Sequence, residues 1–304
     1  MGAPSLLACD WGTTRLRAWV LSDDGEVLAQ QEFERGVSRL ARGEAERVFE
    51  TEVRPALGAR GLPAILCGMV GSELGWRPAG YALCPAGLDE LAQGLVRVQD
   101  ASARVVIVPG MKGPGLGGAD VMRGEETQIV GWMTLQGESS AGRRLFCHPG
   151  THAKWILVEG ARIVRFVTFM TGELYAVLTQ HSVLRTPAAD DDFAAFDEGA
   201  AAAGDGGALA ARLFGARARV VGAGKPAQTT PSYLSGLLIG AEAAAAPGLL
   251  GVSEAEDVAL VGDPALCRRY QRLLQNRGHK VQAWDGAEAA RAGLLALYRR
   301  SLSL

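Results

Sequence analysis

The sequence lacks the short motifs that identify several large classes of enzyme. It contains neither a G-x-S-x-G string nor an H-E-x-x-H string, so hydrolase triads and zinc proteases have no support. Its five cysteines are scattered without C-x-x-C spacing, which argues against a disulfide framework or zinc site and for a reducing compartment. Gly224-Lys225-Pro226 carries proline where a P-loop needs serine or threonine, so a Walker A site is rejected.

Charge and hydropathy argue against two further classes of partner. The formal net charge is -2, with basic and acidic residues interspersed, so the chain has no electrostatic footprint for nucleic acid. Proline, glycine and Glu242 interrupt the apolar stretches, and no basic region precedes Leu6-Leu7-Ala8, so we expect neither a membrane span nor a signal segment. The predicted location is the cytoplasm. The length of 304 residues and the 48% apolar content suit two domains with sizeable cores.

What the sequence does contain is a repeated hairpin pattern, whose first copy lies near the amino terminus. An apolar run ends in Asp10, a Gly12-Thr13-Thr14 turn follows, and alternating strands continue the pattern. Gly12 would let the backbone approach an anion, and the two threonines offer hydroxyl and amide donors. A carboxylate at the end of a strand can hold Mg²⁺ through water. A plain polar hairpin turn explains the same string equally well.

The second copy begins at Leu145 and again reads strand, Gly-Thr turn, strand, Glu-Gly turn and strand. Gly150-Thr151 matches Gly12-Thr13, while His148 stands where the first copy has Asp10. Two similar lobes, each presenting a Gly-Thr hairpin, would grip a polyphosphate from both sides. The first copy has the acid that could organise a metal, and the second does not.

Between and after the hairpins, strands and helices alternate, which predicts mixed sheets with helices on their faces. Glycines follow a buried strand at Gly68–Ser72, where α/β folds open a ligand crevice, although ordinary strand-to-loop punctuation explains them as well. The pattern predicts helices over 43–59, 88–98, 120–133 and 171–184, with a helical, solvated excursion over 190–212.

A glycine-rich run at Gly113–Gly118 fits G-x-G-x-x-G between a predicted strand and a predicted helix, as in a dinucleotide site. Pro114 stiffens this turn, and the acid at the expected distance, Glu138, sits in a Gly-Ser loop and not at a strand end. We therefore treat the run as a flexible hinge or flap, and keep a dinucleotide-dependent oxidoreductase as an alternative.

Two acids lie where helices are predicted to begin. Asp120 is either an N-cap or N-terminal dipole partner, or a general base. Glu173 either completes a capping interaction near Thr171 or contacts a ligand. Glycines on the helix after Asp120 would let it pack closely on the small-residue face of the terminal helix that starts at Gly286.

Taken together, these strings resemble the actin-like ATPase and sugar kinase superfamily. The matching segments are its first phosphate motif (Asp10–Thr14 with Arg17), its second (His148–Thr151) and its adenosine motif (Leu260–Gly262). The predicted helices that start at Asp120 and Gly286 match its two connecting helices. More narrowly, five strings resemble the 2-dehydro-3-deoxygalactonokinase family: Gly68–Ser72, Asp120–Gln128, Pro149–His152, Phe169–Glu173 and Ser232–Gly236.

The resemblance implies an ATP-dependent kinase that phosphorylates the C6 hydroxyl of 2-dehydro-3-deoxy-D-galactonate in galactonate catabolism. It assigns the general base to Asp120, a water-mediated Mg²⁺ ligand to Asp10, and neutralisation of phosphate charge to Arg17, for which a structural salt bridge is the alternative. The implied nucleotide-binding residues are Gly12, Thr13, Thr14, Gly150, Thr151, Gly236 and Gly262. The implied substrate-binding residues are Gly68, Met69, Val70, Gly71, Ser72, Arg123 and Glu173, and Arg15 is a further candidate for the substrate carboxylate.

The same resemblance implies a two-lobed α/β fold, the actin-like ATPase (ribonuclease H-like) fold, with a mixed sheet and flanking helices in each lobe and a ligand cleft between them. The predicted lobes are residues 1–118 and 119–304. A sugar acid and ATP are the predicted partners, and a homodimer is left open. A kinase for another sugar or sugar acid, and a sensor of the same fold without catalysis, remain alternatives.

Overall fold

The computed structural model describes residues 2–99, 103–137, 142–186, 190–204, 207–253 and 257–304, and over these the chain is an α/β protein. Glu138 and residues 205–206, to which the predictions above refer, lie outside the described residues. The strands are β1 (Pro4–Trp11), β2 (Leu16–Ser22), β3 (Val27–Phe33), β4 (Ala64–Gly68), β5 (Tyr81–Leu83), β6 (Val96–Val98), β7 (Val105–Ile107), β8 (Gly110–Gly113), β9 (Asp120–Met122), β10 (Arg144–His148), β11 (Ala153–Glu159), β12 (Arg162–Phe169), β13 (Val258–Gly262) and β14 (Val281–Asp285). The helices are α1 (Ala45–Val48), α2 (Arg54–Ala56), α3 (Leu88–Gln93), α4 (Glu125–Gln136), α5 (Thr171–His181), α6 (Phe193–Ala202), α7 (Leu209–Val221), α8 (Thr230–Leu250), α9 (Pro264–Asn276) and α10 (Gly286–Leu302).

The chain divides into two compact units. The first contains Met1–Arg143, Val158–Arg165 and Trp284–Leu304, and the second contains Arg144–Leu157 and Phe166–Ala283. This division does not follow the predicted boundary at residue 118. The structure keeps β9 and α4 in the first unit, because β9 pairs antiparallel with β8 and α4 packs against α10.

The first unit is built on a six-stranded sheet in the order β3-β2-β1-β4-β7-β6. The predicted amino-terminal hairpin is confirmed, since β1 pairs antiparallel with β2, and β2 with β3. On its other edge β1 pairs parallel with β4, so its residues from Leu6 to Trp11 are buried on both faces of the sheet. The carboxyl ends of β1 and β4 therefore lie side by side.

Helices α4 and α10 meet through glycines. A Cβ at Gly131 would lie 1.8 Å from the carbonyl oxygen of Ala289, and one at Gly293 would lie 2.0 Å from that of Thr127. Such distances leave no space for a side chain, so the two backbones are in direct contact. The predicted packing of the glycine face on the small-residue terminal helix is confirmed.

Three predicted helices of the first unit differ from the structure. The stretch 43–59 contains α1 and α2 joined by a π-helical segment, Phe49–Val53. The stretch 88–98 contains α3, which ends at Gln93, followed by β6. In the stretch 120–133, β9 comes first and α4 begins after Gly124, whose φ of +112° is a conformation that breaks a regular helix.

A five-stranded sheet in the order β12-β11-β10-β13-β14 lies mostly in the second unit, and the predicted hairpin of β10 and β11 is confirmed. The excursion over 190–212 contains α6 and the start of α7 in its described residues. Helix α8 packs against α6, α7 and α9. The helical stretch Ala227–Leu250, which contains α8, is long and apolar enough to cross a bilayer by length and composition, but most of it is buried within the fold, as in a core helix.

Candidate functional sites

Asp10 lies at the carboxyl end of β1, where its side chain is almost fully buried. Its Oδ2 accepts a hydrogen bond from Nη2 of Arg17 at 2.7 Å, and the Sγ of Cys67 lies 3.8 Å from Oδ1. Asp10 and Arg17 are directly opposite each other in the β1–β2 ladder. The ladder thus holds a buried carboxylate in one orientation at the end of the strand.

In the turn that follows Asp10, the backbone carbonyl oxygens are hydrogen-bonded and the threonine side chains are exposed. Val37 donates its amide to the carbonyl oxygen of Gly12, and Ser38 donates both its amide and its hydroxyl to that of Thr13. The side chains of Thr13 and Thr14 are exposed. The structure therefore keeps the carbonyl side of this turn occupied and its hydroxyls available at the surface.

Gly68 connects β4 to the predicted substrate loop beside the acid. A Cβ at this position would lie 2.7 Å from the carbonyl oxygen of Trp11 and 3.4 Å from Oδ1 of Asp10, and the φ of +86° also requires glycine. A Cβ at Gly124 would in turn lie 3.4 Å from the Cα of Gly68. The first unit thus brings Asp10, the Gly68 loop and the turn before α4 into contact.

Arg123 packs against the far side of this loop. Its Nη2 donates to the carbonyl oxygen of Gly80 at 2.8 Å, and its guanidinium lies over the ring of Tyr81 at 4.5 Å. A Cβ at Gly71 would lie 2.9 Å from its Nη1, an atom that is buried and has no hydrogen-bond partner within the described part of the chain. Arg123 therefore places positive charge directly behind the loop.

Arg15, by contrast, forms an exposed ion pair with Glu32 at 3.0 Å, so its charge is already matched on the sheet edge.

Asp120 does not cap a helix, so the predicted N-cap is wrong. It is the first residue of β9, opposite Gly113 in the β8–β9 ladder, and its Oδ1 accepts from the amide of Val121 at 2.7 Å. Gly113–Gly118 consequently leads into a strand and not a helix. The dinucleotide interpretation is therefore wrong, because that motif requires its last glycine at the start of a helix. The base role of Asp120 stays a prediction.

Glu126 is a buried acid that the sequence analysis did not single out. Its two carboxyl oxygens lie 3.0 and 2.7 Å from the amide nitrogen of Gly124, and the hydroxyl of Thr127 lies 3.0 Å from Oε1. Burial, with a smaller contribution from the charge of Glu125, raises the pKa of Glu126 to about 8. It therefore supports the turn that touches Gly68. As one of two adjacent acids within the helix predicted over 120–133, it gave no signal of its own.

In the second unit, α5 starts directly on the Gly150-Thr151 turn. The amide of Glu173 donates to the carbonyl oxygen of Thr151 at 2.9 Å, and a Cβ at Gly172 would lie 2.4 Å from that of Gly150. The carboxylate of Glu173 pairs with Nε2 of His152, so it does not complete a capping interaction. The turn and the amino terminus of the helix are therefore in direct backbone contact, and Thr151 is exposed at the surface.

Gly262, at the end of β13, lies against the same hairpin. A Cβ there would lie 3.4 Å from the carbonyl oxygen of Pro149, and α9 begins immediately afterwards with Asp263 as its N-cap. A pocket of about 330 Å³, including open solvent at its mouth, lies between α5, α8 and α9. Its lining is Gly150, Thr171, Gly172, Tyr175, Ser235, Leu238, Ile239, Leu266, Arg269 and Tyr270.

Gly236, predicted to bind the nucleotide, is not in the lining of this pocket. A Cβ there would lie 1.9 Å from the carbonyl oxygen of Phe196, so the glycine is explained by close packing of α8 on α6. Its neighbour Ser235 is in the pocket lining instead.

Glu242, midway along α8, is the second acid whose role the sequence analysis missed. It is only 2% exposed and accepts hydrogen bonds from side chains of three other elements of its unit. A single charge inside an otherwise apolar, small-residue helix was the available signal, because a buried carboxylate needs such donors.

Known proteins match this chain over nearly its whole length. A family model described as 2-keto-3-deoxy-galactonokinase matches residues 10–297. A protein of Rhizobium meliloti (strain 1021) named as a probable 2-dehydro-3-deoxygalactonokinase is 37% identical over 298 residues, 96% of each chain. The 2-dehydro-3-deoxygalactonokinase of Escherichia coli (strain K12) is 35% identical over 293 residues, again 96% of each.

Solved structures agree with this assignment and with the predicted fold. A Sinorhizobium meliloti protein, whose crystal structure was described under the 2-dehydro-3-deoxygalactonokinase name, superposes with a TM-score of 0.86 at 37% identity, covering 97% of this chain and 98% of that one. The activator of 2-hydroxyisocaproyl-CoA dehydratase from Clostridium difficile, solved with ADPNP, gives a TM-score of 0.52 at 12% identity, over 99% and 97% of the chains. The predicted α/β fold of actin-like ATPases and sugar kinases is confirmed. The chain is a member of the 2-keto-3-deoxy-galactonokinase family.

Proposed function

We propose that this protein transfers the γ-phosphoryl group of ATP to the C6 hydroxyl of 2-dehydro-3-deoxy-D-galactonate, a step of galactonate catabolism in the cytoplasm. Two curated relatives carry the name of this activity at 35% and 37% identity. The observation that carries the proposal is the contact of Asp10, the open Gly12–Thr14 turn and the Gly68 loop in the first unit. It supplies a carboxylate, phosphate donors and a substrate loop together.

The nucleoside of ATP is assigned to the pocket in the second unit. Leu238, Ile239 and Leu266 give it apolar walls suited to a purine ring, while Ser235 and Arg269 provide polar groups. Gly150 is part of the pocket lining, so the phosphate chain of ATP bound in the pocket would run beside the Gly150-Thr151 turn. Gly262, beside Pro149, keeps the end of β13 close to that turn without a side chain in the way.

Magnesium is assigned to Asp10, through water. Within the described ranges no three His, Cys, Asp or Glu side chains gather into a metal cage, so a cation here would be held by few protein oxygens. One buried carboxylate beside a phosphate-binding turn suits Mg²⁺, which keeps several waters and takes its other ligands from substrate phosphates. The ion, when bound, would neutralise charge on the phosphates. Arg17, in contact with Asp10, adds positive charge at the same strand end.

In the reaction, Asp120 accepts the proton of the C6 hydroxyl as that oxygen forms its bond to the γ-phosphorus. The bond from the γ-phosphorus to the bridging oxygen of ADP breaks, and ADP carries away its electron pair. Most catalysis of phosphoryl transfer comes from positioning and charge stabilisation, so the base needs no unusual proton affinity.

Thr13, Thr14, Gly12, Gly150 and Thr151 donate to the phosphate oxygens in this proposal. The sugar acid is held by the loop of Gly68, Met69, Val70, Gly71 and Ser72 and by Glu173. Arg123, which lies behind Gly71, supplies the positive charge for the carboxylate of the sugar acid.

The test is a coupled assay of ADP release with Mg-ATP. It compares 2-dehydro-3-deoxy-D-galactonate with its gluconate epimer, galactonate and neutral hexoses. The expected result is release that strongly favours the galactonate-derived keto acid. ADP release with only a different sugar would support the kinase activity and refute the proposed substrate. ATP binding without release from any of them would support the sensor alternative.

A further inference from the structure

Glu242 joins α8 to four other elements of the second unit. Its Oε1 accepts from Nε1 of Trp155 on β11 at 2.7 Å, with Sγ of Cys147 on β10 at 4.0 Å. Its Oε2 accepts from the hydroxyl of Tyr270 on α9 at 3.0 Å and from that of Thr171 at the start of α5. One carboxyl group thus connects the sheet to two helices.

Burying this acid is unfavourable, so its position needs an explanation. Burial raises the pKa of Glu242 to about 7, although the bonds from Thr171, Trp155 and Tyr270 oppose the shift. A hydrophobic side chain would fill the same space without that desolvation cost. The carboxyl group is therefore best explained by what its hydrogen bonds hold in place.

Two of the side chains that donate to Glu242 are walls of the pocket. Thr171 and Tyr270 both line it, one from α5 and one from α9. Thr171 is also the first residue of α5, whose next residue, Gly172, touches the Gly150 carbonyl. Moving Thr171 would consequently move both a wall of the pocket and the phosphate turn on which α5 rests.

We propose that Glu242 is a positioning residue for the nucleotide, holding Thr171 and Tyr270 in the pocket wall and, through α5, the Gly150-Thr151 turn. This inference rests on the proposed nucleotide pocket. Glu242 itself is not part of the pocket lining. It acts on ATP affinity through its neighbours, and none of the side chains that donate to it is among the residues assigned to the sugar acid.

The experiment compares the full-length wild type with Glu242→Gln and Asp197→Asn. Asp197 forms an ion pair between α6 and Arg272 on α9, outside the pocket lining, and its variant controls for a lost carboxylate in the same unit. Calorimetry gives the dissociation constant of ADP, and initial rates give KM for ATP and for the sugar acid separately.

For Glu242→Gln we expect ADP binding to weaken, and KM for ATP to rise, by about tenfold. The KM for the sugar acid and kcat should stay within about twofold, as should all constants of Asp197→Asn. ADP affinity in Glu242→Gln equal to that of Asp197→Asn would overturn the inference. An equal rise in both KM values would also overturn it, because that result indicates a general loss of structure.

Should Glu242→Gln fail to fold, Thr171→Val and Tyr270→Phe replace it. Each removes one hydrogen bond to the carboxylate, and unchanged ADP affinity in both would overturn the inference. If the wild-type protein binds ADP but phosphorylates no sugar acid, the proposed function is refuted. The ADP dissociation constants of the variants would then still test the positioning role of Glu242. Wild-type protein that binds no ADP would refute both.

Discussion

The carboxylate of Asp10 and the guanidinium of Arg17 form an ion pair of 2.7 Å across directly opposed positions of β1 and β2. The arginine side chain is 37% exposed and the aspartate side chain 9%, so the pair joins a buried strand end to the surface. An ion pair with one partner in solvent contributes little to stability. Its main consequence is that the carboxylate of Asp10 has a defined orientation.

Asp10→Asn should abolish most activity while the protein stays folded. The variant keeps the shape of the side chain but loses the charge assigned to Mg²⁺, so kcat/KM should fall by about 10²-fold or more. Thermal unfolding should change little, because Arg17 can turn to solvent. Glu32→Gln is the matched control, since it removes the acid of the neighbouring exposed pair with Arg15. Full activity of Asp10→Asn at saturating Mg²⁺ would contradict the metal assignment.

Asp120→Asn tests the base. The side chain retains its size and an oxygen that can accept the amide of Val121, but it no longer takes a proton readily, so kcat should fall by at least about 10²-fold. KM for the sugar acid should change much less. Asp24→Asn, in the exposed turn between β2 and β3, is the control. Near-normal turnover of a folded Asp120→Asn would exclude Asp120 as the base.

Glu126 should make stability depend on pH. Its pKa is about 8 in the folded protein against 4.5 for an ordinary glutamate, so the folded state retains a proton that the unfolded state loses. Stability therefore falls as pH rises from 4.5 to 8 and levels off above. Urea unfolding at several pH values should show a shallower decline in Glu126→Gln, whose amide resembles the neutral acid. Parallel curves for the two proteins would show that Glu126 is ionised in the fold.

Gly131→Ala should destabilise the first unit by at least about 2 kcal/mol, because its methyl group would overlap the carbonyl oxygen of Ala289. Gly248→Ala is the control, as it lies in α8 with open space around the added carbon. That substitution should be neutral or stabilising by up to about 1 kcal/mol. Chemical denaturation measures both, and equal effects would show that α4 and α10 can separate at low cost.

The two hairpins were predictable because each is specified locally. Alternation around a Gly-Thr turn determines strand and turn residues together, and the structure places both where the pattern does. The strand that begins at Asp120 was not predictable, because the periodicity of this segment suits a helix, while Gly124 and the pairing with β8 favour a strand. That pairing joins strands separated by the loop at Gly113–Gly118, and no local pattern reveals it.

The candidate site divides in the same way. Asp10 and Gly68 lie at the carboxyl ends of strands that pair in parallel, so their contact follows from the rule for α/β crevices. The supporting acids Glu126 and Glu242 were missed because their importance lies in the donors around them, which come from distant positions in the sequence. Gly236 shows the converse, since a glycine within a family string is explained by packing on Phe196.

The contact of α10 with α4 bears on the order in which the units are completed during translation. The first unit includes Trp284–Leu304, whereas the second ends at Ala283. Every residue of the second unit is therefore synthesised before α10, and it can close its core first although its strands come later in the chain. Until α10 is synthesised, the glycine face around Gly131 lacks the helix that covers it in the folded protein.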